Sequence, residues 1–195
     1  METKRILEIG PGTVSGRSVV FPEADTVDGK VGNPTSTALW GKDRFPFEDN
    51  TYDLIFASHV LEHVPWYRTV TALQEVFRVL KVGGEFEVYV PDFAYIVQCY
   101  LKQRCGDNWR VFNPNSDWMT WVNGRIFTYG EDAVELLSPE RPIPQTHHKA
   151  VFDQHHLVAC LITAGFNRVI PVESGTRRHG QKHSIPEVGA IAVKS

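Results

Sequence analysis

The stretch Leu7-Glu8-Ile9-Gly10-Pro11-Gly12 decides how the rest of the chain is read. Residues 4–9 predict a short strand, and Gly10-Pro11-Gly12 stops it. A turn with so little side chain lets the backbone approach a ligand closely and offers amide N–H donors to it. Taken alone, the turn also fits a loose dinucleotide loop, Gly10-x-Gly12-x-x-x-Gly16, or a plain tight turn, which is the commoner case. The segments downstream of the turn choose between these readings.

Residues 24–28 predict a second short strand ending at Asp28 before Gly29, and 35–40 a weak third. In 52–58 the run Leu54-Ile55-Phe56-Ala57 is the continuous apolar pattern of a strand buried on both faces. Pro65 suits a first helical turn, and Val70, Leu73, Val76, Phe77 and Leu80 recur at helical spacing. Gly83-Gly84 is expected to end that helix, and 85–90 to form the next strand, closed by Pro91. Strands separated by a helix imply a parallel α/β sheet. Only 15 residues separate Gly12 from Asp28, and 14–22 carry no helical stripe, so the first helix of such a fold is expected to be shortened or absent.

Residues 92–150 differ in character. They hold three of the five tryptophans (Trp109, Trp118, Trp121) and Pro114, Pro139, Pro142 and Pro144. One or two helices, near 93–105 and 116–128, and a long loop are expected there, as an inserted lid over 93–150 within a single domain spanning 1–195. Asp153 can N-cap a helix containing Leu157, Val158, Leu161 and Ile162, ended by Gly165. Residues 166–173 and 186–194 then predict two final strands, paired antiparallel.

The chain has 195 residues, 42% hydrophobic and 22% charged, with a net charge of -3, so bulk nucleic-acid binding is not expected. The basic group Arg177, Arg178, His179, Lys182 and His183 reads as a solvated loop. No apolar run approaches the roughly 20 residues that span a bilayer, and the N-terminus lacks a signal-peptide core. The three cysteines, Cys99, Cys105 and Cys160, have no C-x-x-C spacing, which points to a reducing cytoplasm.

Two further blocks complete the pattern: Phe45-Pro46-Phe47-Glu48-Asp49-Asn50-Thr51-Tyr52-Asp53, leading into Ser58-His59-Val60-Leu61-Glu62-His63, and Arg78-Val79-Leu80-Lys81-Val82-Gly83-Gly84. With the glycine turn and Asp28 they resemble, in order and spacing, class I S-adenosylmethionine (SAM)-dependent methyltransferases of the type 11 kind. The resemblance covers residues 5–92 and returns over 157–169. It implies an α/β Rossmann-like methyltransferase fold, with a mostly parallel sheet, an antiparallel last strand and a helical insertion after the fifth strand. Val82 stands where the family has Pro, Tyr52 where it has Phe, and Gly41 where many relatives carry an adenine-binding Asp. The sequence also resembles a subgroup with a shortened first helix and a fifth strand ending in Val-Pro-Asp. That subgroup is associated with sugar modification.

The resemblance implies that Glu8, Gly10, Pro11 and Gly12 line the methionine and ribose side of SAM, and that Asp28 holds the ribose diol. Trp40 and Gly41 would border the adenine, and Ser58 and His59 would face the sulfonium. S-adenosylhomocysteine would be the product. Transfer to a small-molecule or sugar-type acceptor needs a base only if the acceptor must lose a proton, and His59, Asp92 and His148 are the candidates for that side of the crevice. His147, His148, His155 and His156 form two adjacent pairs whose rings splay apart, so no metal site is expected. A non-catalytic SAM- or nucleotide-binding module is the alternative. A nicotinamide-dependent reductase would rest on the glycine turn alone, without a Tyr-x-x-x-Lys pair.

Overall fold

The computed structural model describes residues 4–11, 18, 20–29, 34–105, 117–127, 147–173, 176–180 and 186–195. Seven strands are present: β1 Ile6–Ile9, β2 Asp25–Asp28, β3 Ser36–Thr37, β4 Tyr52–Ser58, β5 Leu80–Pro91, β6 Arg168–Val172 and β7 Glu187–Val193. Among the described residues, four α-helices accompany them: α1 Thr69–Val79, α2 Phe93–Lys102, α3 Trp118–Phe127 and α4 Gln154–Ala164. The sheet order is β3-β2-β1-β4-β5-β7-β6. β1 to β5 pair in parallel, and β7 runs antiparallel to both of its neighbours. This is the expected Rossmann-like arrangement with its antiparallel last strand.

Strand alternation gives the sheet two unlike faces. Leu7, Ile9, Val27, Ile55, Ala57, Phe86, Val88, Val90, Val188, Ala190 and Ala192 form one face, packed against Leu73 and Val76 of α1 and Leu157 and Leu161 of α4. The opposite face carries Glu8, Thr26, Phe56, Ser58, Glu87, Tyr89 and Glu187, aligned by register across β2, β1, β4, β5 and β7. There, residues 20–24 and 176–180 lie over the sheet. Phe21 packs edge-on to Phe56 and beside His179. Arg177, with only 4% of its side chain exposed, pairs with Glu187 and lies over the Tyr89 ring at 4.4 Å. His179 Nδ1 meets Glu87 Oε2 at 2.5 Å, and the backbone N–H of Arg178 donates to Tyr89 Oη. The expectation of a solvated basic loop is therefore corrected at Arg177 and His179. Buried carboxylates need cations or donors, and this loop supplies them.

Three local expectations also shift. The third strand shrinks to two residues, because Trp40 turns into the core, stacks edge-on against Phe86 and donates its indole N–H to Ala72 O (2.8 Å). Gly83-Gly84 does not end α1. The helix stops at Val79, Leu80 turns extended with its side chain fully buried, and both glycines lie inside β5. Gly83 takes a φ of +82°, and its N–H donates to Lys194 O (2.6 Å), extending the β5–β7 edge. Asp153 does cap α4, accepting the His156 N–H at 2.7 Å, and Gly165 ends that helix at a φ of +116°.

Candidate functional site

The register of β2, β1 and β4 builds one end of a crevice. Ile9 lies opposite Val27 on one side and Ala57 on the other, so the next residue of each strand, Gly10, Asp28 and Ser58, stands in a row at the carboxyl ends of three adjacent strands. Open α/β sheets take their ligands at this edge, where the strand order reverses. Gly10 has a φ of +63°, and a Cβ added there would sit 2.6 Å from Val60, so the turn requires glycine both in conformation and in space. Its N–H donates to Val27 O at 2.8 Å. Pro11 is the next residue of the turn. Gly12 lies outside the described residues.

Glu8 is 6% exposed, and its Oε2 has no hydrogen-bond partner. Burial raises its pKa, against the lowering effect of a hydrogen bond from Ser18. A carboxylate oxygen enclosed beside a glycine turn is matched by a donor carried on a ligand, such as the ammonium of a methionine moiety. Asp28 is half-buried at the end of β2, where its carboxylate could accept hydrogen bonds from a ribose diol. The residues present thus fit a SAM-type cofactor at its methionine and ribose ends. At the adenine end, the Trp40 indole is committed to the core, leaving Gly41 (φ +80°) and the adjoining backbone at the carboxyl end of β3.

At the β4 end, Ser58 Oγ accepts a hydrogen bond from the Arg177 guanidinium (2.6 Å). His59 adopts a φ of +55°, a strained conformation for a residue with a bulky ring. Its Nε2 lies 2.9 Å from Glu187 Oε2, and its Nδ1 lies 3.4 Å from Glu62 Oε1. Burial pushes its pKa down, but the hydrogen bond to Glu187 and the negative charge of nearby Glu62 outweigh this and raise it to about 9. His59 is therefore protonated at neutral pH and cannot serve as a proton acceptor there. Asp92 caps α2 by accepting the Tyr95 N–H (3.2 Å), so its carboxylate is held by a helix N-terminus. His148 is half-buried, and loss of solvent around its ring is the main cause that lowers its pKa, which favours the neutral imidazole.

Sequence reasoning missed Arg177, Glu187 and Glu62. One signal was present: in Glu85-Phe86-Glu87-Val88-Tyr89-Val90 the polar residues fall on alternate positions of a core strand. A polar face so deep in a sheet requires cations above it.

Residues 37–88 match the family model described as a methyltransferase domain. Over that stretch the chain is similar to the methyltransferase-domain family. Over 44 residues it is 50% identical to a sterol 24-C-methyltransferase of Schizosaccharomyces pombe, a match covering 23% of this chain and 11% of that protein. A sterol 4-C-methyltransferase of Caenorhabditis elegans is 44% identical over 46 residues, 24% of this chain and 13% of that one. The chain thus spans only about an eighth of the length of these curated relatives. Among solved structures, a SAM-dependent methyltransferase of Thermotoga maritima superposes with a TM-score of 0.58 at 16% identity, covering all of this chain and 84% of that one. One from Methanosarcina mazei gives 0.56 at 18% identity, covering all of this chain and 93% of that one. The shared fold accordingly reaches beyond the stretch where sequence identity is high. Among the described residues, no helix is long and apolar enough to cross a membrane.

Proposed function

We propose that this chain transfers a methyl group from SAM to a small-molecule or sugar-type acceptor, releasing S-adenosylhomocysteine. The observation that carries this reading is the row Gly10, Asp28 and Ser58 at three adjacent strand ends, with the unpartnered Glu8 oxygen beside it. SAM supplies the electrophilic methyl group, while the protein contributes orientation and exclusion of water. Glu8, Gly10 to Gly12 and Asp28 hold the cofactor, with Gly41 and the Trp40 backbone at the adenine. Protonated His59, tied to Glu187, positions the end of β4. His148 offers a neutral imidazole to the acceptor side, and Asp92 starts the helix that closes it. The described part of the insertion, α2 and α3, closes the acceptor side within one domain over 1–195, and the similarity to sterol methyltransferases supports a small-molecule substrate. The free cysteines support a cytoplasmic setting.

Titration calorimetry with SAM and S-adenosylhomocysteine tests the reading. The wild-type chain binds both, and Asp28→Ala weakens binding at least tenfold, about 1.4 kcal/mol. Transfer of a labelled methyl group is then measured across sugars, sugar nucleotides and sterols. Failure of the wild-type chain to bind either compound would sink the proposal. Binding without turnover of any acceptor would replace it with a non-catalytic SAM-binding module.

A further inference from the structure

Beside the cofactor row, a second group of side chains converges from two distant parts of the chain. Residues 147–150 are stitched onto the turn after β4: the N–H groups of Lys149 and Ala150 both donate to Glu62 O (2.7 and 3.1 Å), and the Trp66 N–H donates to Lys149 O (3.2 Å). This seam brings His148 against Glu62 and His63, with the two imidazole centroids 5.0 Å apart. One potential ligand atom from each of Glu62, His63 and His148 lies within 4.8 Å of the others. The Glu62 side chain is 2% exposed, and neither carboxylate oxygen accepts a hydrogen bond. It opens onto a cavity that leaves about 10 Å³ to the centre of a water-sized sphere, lined also by Pro91, Phe93, Ile96 and Arg125. That is room for a single water or ion.

The two histidines are oriented as metal ligands usually are. His63 turns Nδ1 to His147 O (3.2 Å), which leaves Nε2 as the unprotonated nitrogen. His148 turns Nε2 towards Glu62 Oε1 (3.9 Å) and hydrogen-bonds the Arg125 backbone. A histidine that donates one ring N–H to a backbone carbonyl presents the other nitrogen's lone pair in a fixed direction. Two such nitrogens and a buried carboxylate suit a zinc-class divalent ion. Adjacent histidines do splay apart, as the sequence suggested, but the fold uses the splay: His148 contributes its ring, while His147 contributes the carbonyl that orients His63.

We infer that Glu62, His63 and His148 form a binding site for a divalent first-row transition-metal ion of the zinc class. Metal–nitrogen bonds of about 2.1 Å place tetrahedral ligands roughly 3.4 Å apart. The site therefore closes by about an ångström on binding, through the half-exposed His63. It lies at the carboxyl ends of β4 and β5, on the acceptor side of the crevice. A role in holding an acceptor oxygen rests on the methyltransferase reading, but metal binding itself does not.

The test uses the full chain, stripped with a chelator and titrated with Co²⁺ as a spectroscopic stand-in. The expected result is a visible d–d band saturating at one equivalent, displaced by Zn²⁺. Affinity falls at least tenfold in Glu62→Gln and in His63→Ala, the latter removing a half-exposed ring. The exposed His155→Ala leaves the band unchanged. No saturable band, or a band that persists in the double variant His63→Ala/His148→Ala, overturns the site. Glu62 would then be only a counter-ion to His59 beside a buried water. Because the readout is made without SAM or acceptor, its failure is separate from any failure of methyl transfer.

Discussion

The two faces of the sheet are held by different physics. On the face beneath α1 and α4 the strands offer only apolar side chains, and burial away from water stabilises the contact without requiring particular angles. On the other face, Glu87 and Glu187 are 0% and 4% exposed, and the loop at 176–180 answers them with Arg177 and His179. A paired buried charge roughly offsets its own desolvation, so it adds little net stability, yet it becomes costly once its partner is removed. The helix-covered face therefore supplies stability, while the loop-covered face specifies geometry at the ends of β4 and β5, where the proposed chemistry lies.

Four experiments probe that contrast. The largest effect is expected for Arg177→Ala, which leaves Glu187 buried beside a single cation. Unfolding by urea should show a loss of about 3–5 kcal/mol, smaller at acid pH where the carboxylate is protonated. Leu73→Ala, beneath the opposite face, should cost about 3 kcal/mol through the cavity it opens, with no such pH dependence. Equal pH dependence of the two losses would erase the distinction between the faces.

Next in size is a pH slope. The folded pKa of His59 is raised to about 9. Its stabilising contribution is therefore complete below the unfolded value near 6.5 and is lost as pH rises through about 9. Denaturation midpoints measured from about pH 6 to about pH 9.5 should show a decline on the order of 2 kcal/mol, absent in His59→Gln. The smallest change is expected for Gly189→Ala. An added Cβ would lie 2.5 Å from the Tyr89 ring, displacing the surface on which Arg177 rests, at about 1–2 kcal/mol. Replacing Tyr89 by Leu in the same chain should restore most of the loss, and a double variant no more stable than Gly189→Ala alone would show that Tyr89 is not the obstacle.

The helix-covered face was readable because its signals are local. Leu54 to Ala57 announce a buried strand, Val70 to Leu80 a helical stripe, and Asp153 with Gly165 the limits of α4. Where α1 ends was less readable. Gly83-Gly84 looked like a helix stop, but the pairing of Leu80 with Tyr52 drew the chain into β5 earlier. Trp40 was assigned to a ligand from its position in sequence, whereas its ring has a core partner in Phe86, 46 residues downstream. The candidate row at the strand ends was legible as Gly10, Asp28 and Ser58, because each closes or directly follows its own strand.

By itself, the sequence determined the α/β class, the antiparallel last strand, the resemblance to methyltransferases and the row of residues at the strand ends. Those properties come from periodicity, turn chemistry and motif order, all of which act over short distances along the chain. Only the tertiary structure decided the charge states and partners of the histidines. His59 is a cation because Glu62 and Glu187 flank it, while partial burial favours the neutral form of His148. Glu187 lies 128 residues from His59, and residues 147–150 meet Glu62 across more than 80. Electrostatics depends on distance in space and on exclusion of water, and neither is written in the order of residues.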